Sequence, residues 1–387
     1  MLTCKRDFFS LPEDVHYLNA AYMGPLSRAS QEAAQRGIRR KALPYTVETP
    51  DFFEESDEAR RLFAQLINSG EPEAVALVPS VSYGMGIVAR GLPERRGQSI
   101  VVVAEEFPSN VYPWRAAARE GGLHIRTVTA PAAVPNRGEE WNHALLESID
   151  GDTACVAVAQ VHWADGTLFD LERIGRRCRE VGALFVVDGT QSVGAMPFDV
   201  ERIRPDALVV ASYKWLLGPY SLGFAYLGPR LLRDAQPLEE TWLGRVDSDD
   251  FAGLVRYRDE YQAGAIRFDM GERSNFLLMP IVVTALRQLL EWGVEEIQAY
   301  CRALSSPFVE AARELGFGVE LEPWRASHLF GLRLPAGLEV ARLQEELKAR
   351  AVYVSRRGSA LRVSPHVYND KHDLTALREA LQAAVAG

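Results

Sequence analysis

One alternation constrains this chain more than any other feature. Apolar runs of five to eight residues recur at 74–78 (AVALV), 99–104 (SIVVVA), 124–128 (HIRTV), 154–161 (ACVAVAQV), 183–188 (ALFVVD) and 206–212 (DALVVAS). Between them lie stretches such as SNVYPWRAAAREGG (109–122) and DLERIGRRCREVGA (170–183), with apolar residues at helical spacing and a glycine stop. Strands apolar on both faces need helices over both faces, so the spacing predicts an α/β fold built on a mostly parallel sheet.

From residue 280 the pattern changes. Long helices come first, then the strand candidates HLFGLRLP (328–335) and ALRVSPHVY (360–368), then a closing helix over 372–386. This reads as a smaller α+β domain. At 387 residues the chain is too long for one ordinary core. The expected division is a large domain over 20–275 and a small one from 1–19 and 276–387. Residues 139–152 and 245–260 read as surface elements, the second as a mobile loop.

Charge bounds the partners. The net charge is −9, with acids and bases interspersed, which argues against nucleic acid. The first residues hold no apolar signal core, and no run reaches membrane-spanning length. Cys4, Cys155, Cys178 and Cys301 are scattered, which suits a reducing cytoplasm and neither a disulfide framework nor a metal site. No G-x-G-x-x-G or G-x-x-x-x-G-K-[ST] follows any strand, which excludes the common nucleotide-binding readings.

In an open parallel sheet, ligands sit outside the carboxyl ends of the strands. Asp188 follows one apolar run. Ser212, Tyr213 and Lys214 follow the next, about one strand-helix-strand unit later. PSVSYGMG (79–86) follows the first run, and EEFPSN (105–110) follows the second. Asp188 and Lys214 can form a plain buried ion pair. Lysine is also a nucleophile toward carbonyls when desolvation lowers its pKa. A small-residue turn opening a helix is an anion site, and an aromatic after a neighbouring strand can stack on a planar ring. Taken together these are the parts that hold pyridoxal 5′-phosphate (PLP), the carboxylate keeping the pyridine nitrogen protonated.

The segments VVDGTQSVGAMPFDV (186–200) and ASYKWLLGPYSLGFAYL (211–227) resemble the PLP-dependent enzymes of fold type I, and within them the class V aminotransferase group. That group includes cysteine desulfurases, kynureninases and related lyases and epimerases. The resemblance runs from about Tyr17 to the last helix. It implies that Lys214 carries the cofactor as a Schiff base and shuttles protons, that Asp188 pairs with the pyridine nitrogen, and that Gln191 approaches the ring hydroxyl. Ser212 and Tyr213 would contact the phosphate, as would the turn at Val81 and Ser82. EEFPSN is similar to the FPSD stretch of kynureninases, which makes Phe107 the ring-stacking residue. ETWLGR places Trp242 near the phosphate, and ERSNF nominates Asn275 to complete the partner subunit's site in a homodimer. LRVSPHVYNDKHDL resembles the C-terminal strand of the group, whose arginine, here Arg362, grips the substrate α-carboxylate.

Departures limit the reading. YVSRRGS (353–359) has no cysteine where desulfurases carry their sulfur acceptor, which argues against that activity. Asn19 and Ala20 are expected on the substrate side. His162, Trp163 and Asp165 are site candidates without a role, and Tyr22, Arg356 and Arg357 are candidates for reading an acidic or aromatic side chain. The expected activity is aminotransferase-like or C–S lyase-like on a small or sulfur-bearing amino acid. The alternatives are a kynureninase-like hydrolase and a PLP-fold protein that binds without turnover.

Overall fold

The computed structural model describes residues 2–92, 96–132 and 136–386. Twelve strands occur among them: β1 (His16–Tyr17), β2 (Val75–Val78), β3 (Ser99–Val103), β4 (His124–Val128), β5 (Thr153–Ala159), β6 (Leu184–Asp188), β7 (Ala207–Ala211), β8 (Gly223–Leu227), β9 (Phe330–Arg333), β10 (Val352–Tyr353), β11 (Ser355–Arg357) and β12 (Ala360–Val363).

Each of the six apolar runs supplies a strand of one seven-stranded sheet, ordered β2-β8-β7-β6-β5-β3-β4. From β7 to β4 the neighbours are parallel. All seven residues of β5 are buried, as strands covered on both faces require. The covering helices are locally specified. In Leu171–Val181, Asp170 accepts from the Arg173 N–H at the start, a cap worth about 1 kcal/mol. Gly182 ends the helix in the left-handed conformation, at φ 78°.

The seventh strand, β8, is not among those runs. It lies antiparallel to both β2 and β7. The connection over 212–222 contains no helix, so the chain cannot cross over and must return beside itself. That tight return carries Lys214. The outer edge of β2 is covered rather than left open. The Leu77 N–H donates to Asp269 Oδ1 (2.7 Å) and the Met270 N–H to the Leu77 carbonyl (2.8 Å), with Asp269 clamped between Arg60 and Arg273.

A second sheet, β11-β12-β9, is antiparallel and packs with the helices Val294–Glu314, Val340–Ala349 and Lys371–Val385. The first strand, β1, pairs with β10, and Asn19 bridges to Ser364, so residues near the start of the chain pack against its C-terminal part. This carries the next residues under the end of β7, where the Gly24 N–H donates to the Tyr213 carbonyl at 2.9 Å.

Residues 139–152 are not a plain surface element. They lie largely in the helix Arg137–Glu147, whose Trp141 and Leu145 are fully buried. Trp141 and Leu145 fall one helical turn apart and face inward together, and the indole N–H donates to the Val128 carbonyl. Residues 245–260 form a surface segment around the turn Phe251–Gly253, where Tyr257 is 94% exposed.

Candidate active site

The carboxyl ends of β2, β3, β5, β6 and β7 surround one cleft of about 880 Å³, its mouth included. Asp188 is the last residue of β6 and is buried. Its Oδ1 accepts from the Thr190 N–H (2.9 Å), while burial pushes the carboxyl upward. It has no ion-pair partner among the described residues, so its closest electrostatic support is Lys214.

Lys214 is 95% buried within the return between β7 and β8. Its ammonium lies 5.2 Å from the Phe107 ring centroid and 5.4 Å from that of Tyr213. Burial lowers its pKa to about 8; Asp188 opposes that shift, and Arg362 and Arg357 reinforce it. Two non-glycine residues of the return, Leu217 (φ 52°) and Ser221 (φ 64°), hold the left-handed conformation, which costs about 1–2 kcal/mol each. The surrounding packing therefore over-determines where this lysine sits.

Across the cleft, Ser80 caps the helix Val81–Arg90 by accepting from the Tyr83 N–H. Ser80 and Val81 form the cleft wall, with first-turn N–H groups that lack intrahelical partners. Ser82 is exposed and follows them on the same turn. Phe107 lies on another wall, half-buried, edge-on to Trp163 at 5.4 Å. Gln191 is fixed at both ends of its amide: Nε2 donates to the Ala21 carbonyl (3.1 Å) and Oε1 accepts from the Trp215 indole (2.8 Å). Tyr213 lines the cleft against Tyr220, its phenol pushed up to about 12 by burial.

Arg362 is 1% exposed. Its Nη1 donates to the Trp163 carbonyl at 2.8 Å, while Nε and Nη2 have no hydrogen-bond partner among the described residues. Burial works against its charge, and Arg357 adds to the pressure. A buried guanidinium with two free donors side by side calls for a carboxylate. Asn19 is buried nearby in the fold and accepts from the Ser355 hydroxyl at 2.8 Å.

Ser212, Trp242 and Asn275 do not line this chain's own cleft. The Ser212 hydroxyl is fully buried and turned to the Pro219 and Leu222 carbonyls (2.6 and 2.8 Å), off the cleft wall, because the return must satisfy its own carbonyls. Trp242 packs on Phe52 and Phe251 away from the cleft and is 38% exposed. Asn275 is exposed and accepts from the Leu277 and Leu278 N–H groups before the helix Met279–Trp292.

The unassigned trio separates. Trp163 lines the cleft, and its indole donates to the Glu105 carbonyl at 2.6 Å. His162 and Asp165 do not line the cleft. Burial opposes charge on His162, yet Asp165 outweighs it and holds the imidazole above its ordinary value. Asp165 also pairs with Arg137 at 2.9 Å. Glu106 is a cleft residue that the sequence reading did not single out. Its carboxylate accepts from the Phe107 and Ala159 N–H groups (2.8 and 3.2 Å), and burial pushes it up to about 7. The available signal was its position: a second acid directly after an apolar run has no room to stay in solvent.

These residues fit PLP. The helix N-terminus suits its phosphate, the orphan carboxylate its pyridinium, Phe107 its ring, and the desolvated amine its aldehyde. Fold and site together define a fold type I enzyme whose cofactor is PLP. The model of the class-V aminotransferase family matches residues 46–377, and the chain belongs to that family. A probable cysteine desulfurase of Methanothermobacter thermautotrophicus is 36% identical over 345 residues, covering 84% of this chain and 82% of that one. An uncharacterized aminotransferase of Bacillus subtilis is 28% identical over 326 residues, covering 83% and 81%. The solved structure of a C-DES variant with glycine covalently linked to its PLP cofactor superposes with a TM-score of 0.87 at 20% identity, covering 98% of this chain and 99% of that one.

Proposed function

We propose that the protein converts an α-amino acid by an aminotransferase-type or C–S lyase-type reaction, with Lys214 as the proton-moving base and Arg362 as the α-carboxylate clamp. The observation that carries this is the pair itself: a buried lysine lining the cleft, and a buried arginine bonded to the carbonyl of the cleft residue Trp163, whose Nε and Nη2 have no hydrogen-bond partner among the described residues. When bound, PLP supplies an electron sink for the bond electrons left at the substrate α-carbon. Lys214 Nζ, whose pKa of about 8 gives it a free-amine fraction near neutral pH that an ordinary lysine lacks, takes the α-proton and returns it. Asp188, with the Thr190 N–H behind it, holds a proton on the cofactor's ring nitrogen. Phe107 and the Ser80–Val81 turn orient the ring and its phosphate.

A persulfide on a cysteine of this chain is disfavoured at the cleft: Cys4 is exposed but does not line it. Cys155, Cys178 and Cys301 are buried, with burial pushing each thiol upward, and no cysteine lies in 352–363. A homodimer is the working unit in this reading. Trp242 and Asn275, exposed and away from their own cleft, are available to complete the partner's site. Cysteines without disulfides suit the cytoplasm. Among the described residues no helix is long and apolar enough to cross a membrane.

The test is an absorption spectrum after incubation with PLP, then borohydride reduction and mass analysis, for wild type and Lys214→Ala. Visible absorption with the cofactor fixed at residue 214, in the wild type only, is expected. A panel of amino acids then separates conversion of the cofactor to its amine form from release of a keto acid with the cofactor unchanged. No absorption at all refutes the proposal. Absorption that no amino acid alters leaves a protein that binds without turnover.

A further inference from the structure

The hairpin that carries Arg362 holds a second guanidinium that the reaction above does not use. In the β11–β12 pair, Ser355 lies opposite Arg362, Arg356 opposite Leu361, and Arg357 opposite Ala360. Side chains alternate faces along each strand, so Arg357, Ser355 and Arg362 share one face and Arg356 takes the other. Ser355 reaches Asn19 on that face.

Trp163 links the two arginines to the cleft. Its carbonyl accepts from Arg362, its ring lines the cleft, and the Arg357 guanidinium lies 5.5 Å from the ring centroid. Arg357 is half-buried, its Nη1 donates to the Arg356 carbonyl (2.8 Å), and its buried Nε has no hydrogen-bond partner among the described residues. No described carboxylate pairs with Arg356, Arg357 or Arg362, although most arginines with a comparable degree of burial elsewhere in the chain do pair. Two like charges on one face, within electrostatic reach of each other and of Lys214, repel unless anions bridge them. The α-carboxylate answers Arg362. Arg357 is then a cation in surplus.

We propose that Arg357 selects for substrates carrying a second anionic group on the side chain, so that the enzyme acts on an acidic α-amino acid, its distal group a carboxylate or a sulfinate. The inference rests on the amino-acid chemistry proposed above and narrows its substrate class. Arg357 is a specificity residue here, and Arg362 serves any amino acid.

The test is calorimetric titration of the PLP-loaded protein with glutarate and succinate against valerate and butyrate. The dicarboxylates are expected to bind about 10- to 100-fold more tightly, the range of one charge-assisted hydrogen bond. Arg357→Gln removes that preference and changes monocarboxylate affinity far less than dicarboxylate affinity, and Arg357→Lys restores much of it. Cofactor absorbance confirms that each variant is folded. L-aspartate, L-glutamate and L-cysteine sulfinate, each against L-alanine, then identify the distal group from the half-saturating concentration for the change in cofactor absorbance. Equal binding of mono- and dicarboxylates by the wild type overturns the inference even if Arg357→Gln does not fold. So does an equal loss of both in a folded Arg357→Gln. A wild type that takes up no PLP refutes the underlying reading as well, and that result is distinguishable from the others.

Discussion

Replacing Lys214 with methionine is expected to abolish activity while making the cofactor-free protein more stable. The starting point is burial: Lys214 is 5% exposed and its pKa falls from 10.5 to about 8. At about 1.4 kcal/mol per tenfold change in proton affinity, the folded chain loses about 3 kcal/mol by keeping this group charged. The sign follows from proton counts. Between pH 8 and 10.5 the unfolded chain binds a proton that the folded chain lacks, so stability rises with pH across that window. Below about 8 both states are protonated and the whole penalty stands. Methionine has similar length and no charge, so Lys214→Met removes the penalty. Urea unfolding of the two apo proteins should differ by about 3 kcal/mol at pH 7, and the difference should shrink toward zero as pH rises through the window. A variant less stable than wild type, or a difference that ignores pH, would refute the claim that the site holds its lysine against desolvation.

Ser212→Ala should cost about 1 kcal/mol of stability in thermal or urea unfolding, through the lost bonds to Pro219 and Leu222, and leave PLP affinity unchanged. A large loss of PLP affinity would put that hydroxyl back at the phosphate. Gly24→Ala tests the segment under the lysine. The added methyl would sit 2.2 Å from the Lys214 carbonyl oxygen, so the base must move, and kcat/KM should fall by about 100-fold in a protein that still unfolds cooperatively. Unchanged activity would show that the 19–24 segment does not position the base.

Much of the large sheet was legible because its strands are buried on both faces, and such strands write themselves as unbroken apolar runs. The residues directly after those runs were legible for the same reason: a charged group at the end of a buried strand, as at Asp188 and Lys214, stands out against its neighbours. β8 was harder to see. Its sequence, GFAYL, follows a glycine- and proline-bearing return that lacks the helix expected between parallel strands, and its direction depends on the length of that return. Trp141 reads as part of a polar segment until its helix is seen to face inward at Trp141 and Leu145.

Local pattern alone specifies the layered α/β plan, the order in which the site's parts arrive along the chain, and the chemical kind of each part. These follow from local pattern and residue type, which need no knowledge of distant contacts. Long-range packing sets which hydroxyl turns inward, that Glu106 lies in the cleft, and that Arg357 and Arg362 share a face beside Trp163. Those outcomes depend on hairpin register and on hydrogen bonds between residues far apart in the chain. Asn19 and Ser355, 336 positions apart, meet at 2.8 Å, and no short window of sequence records such a meeting.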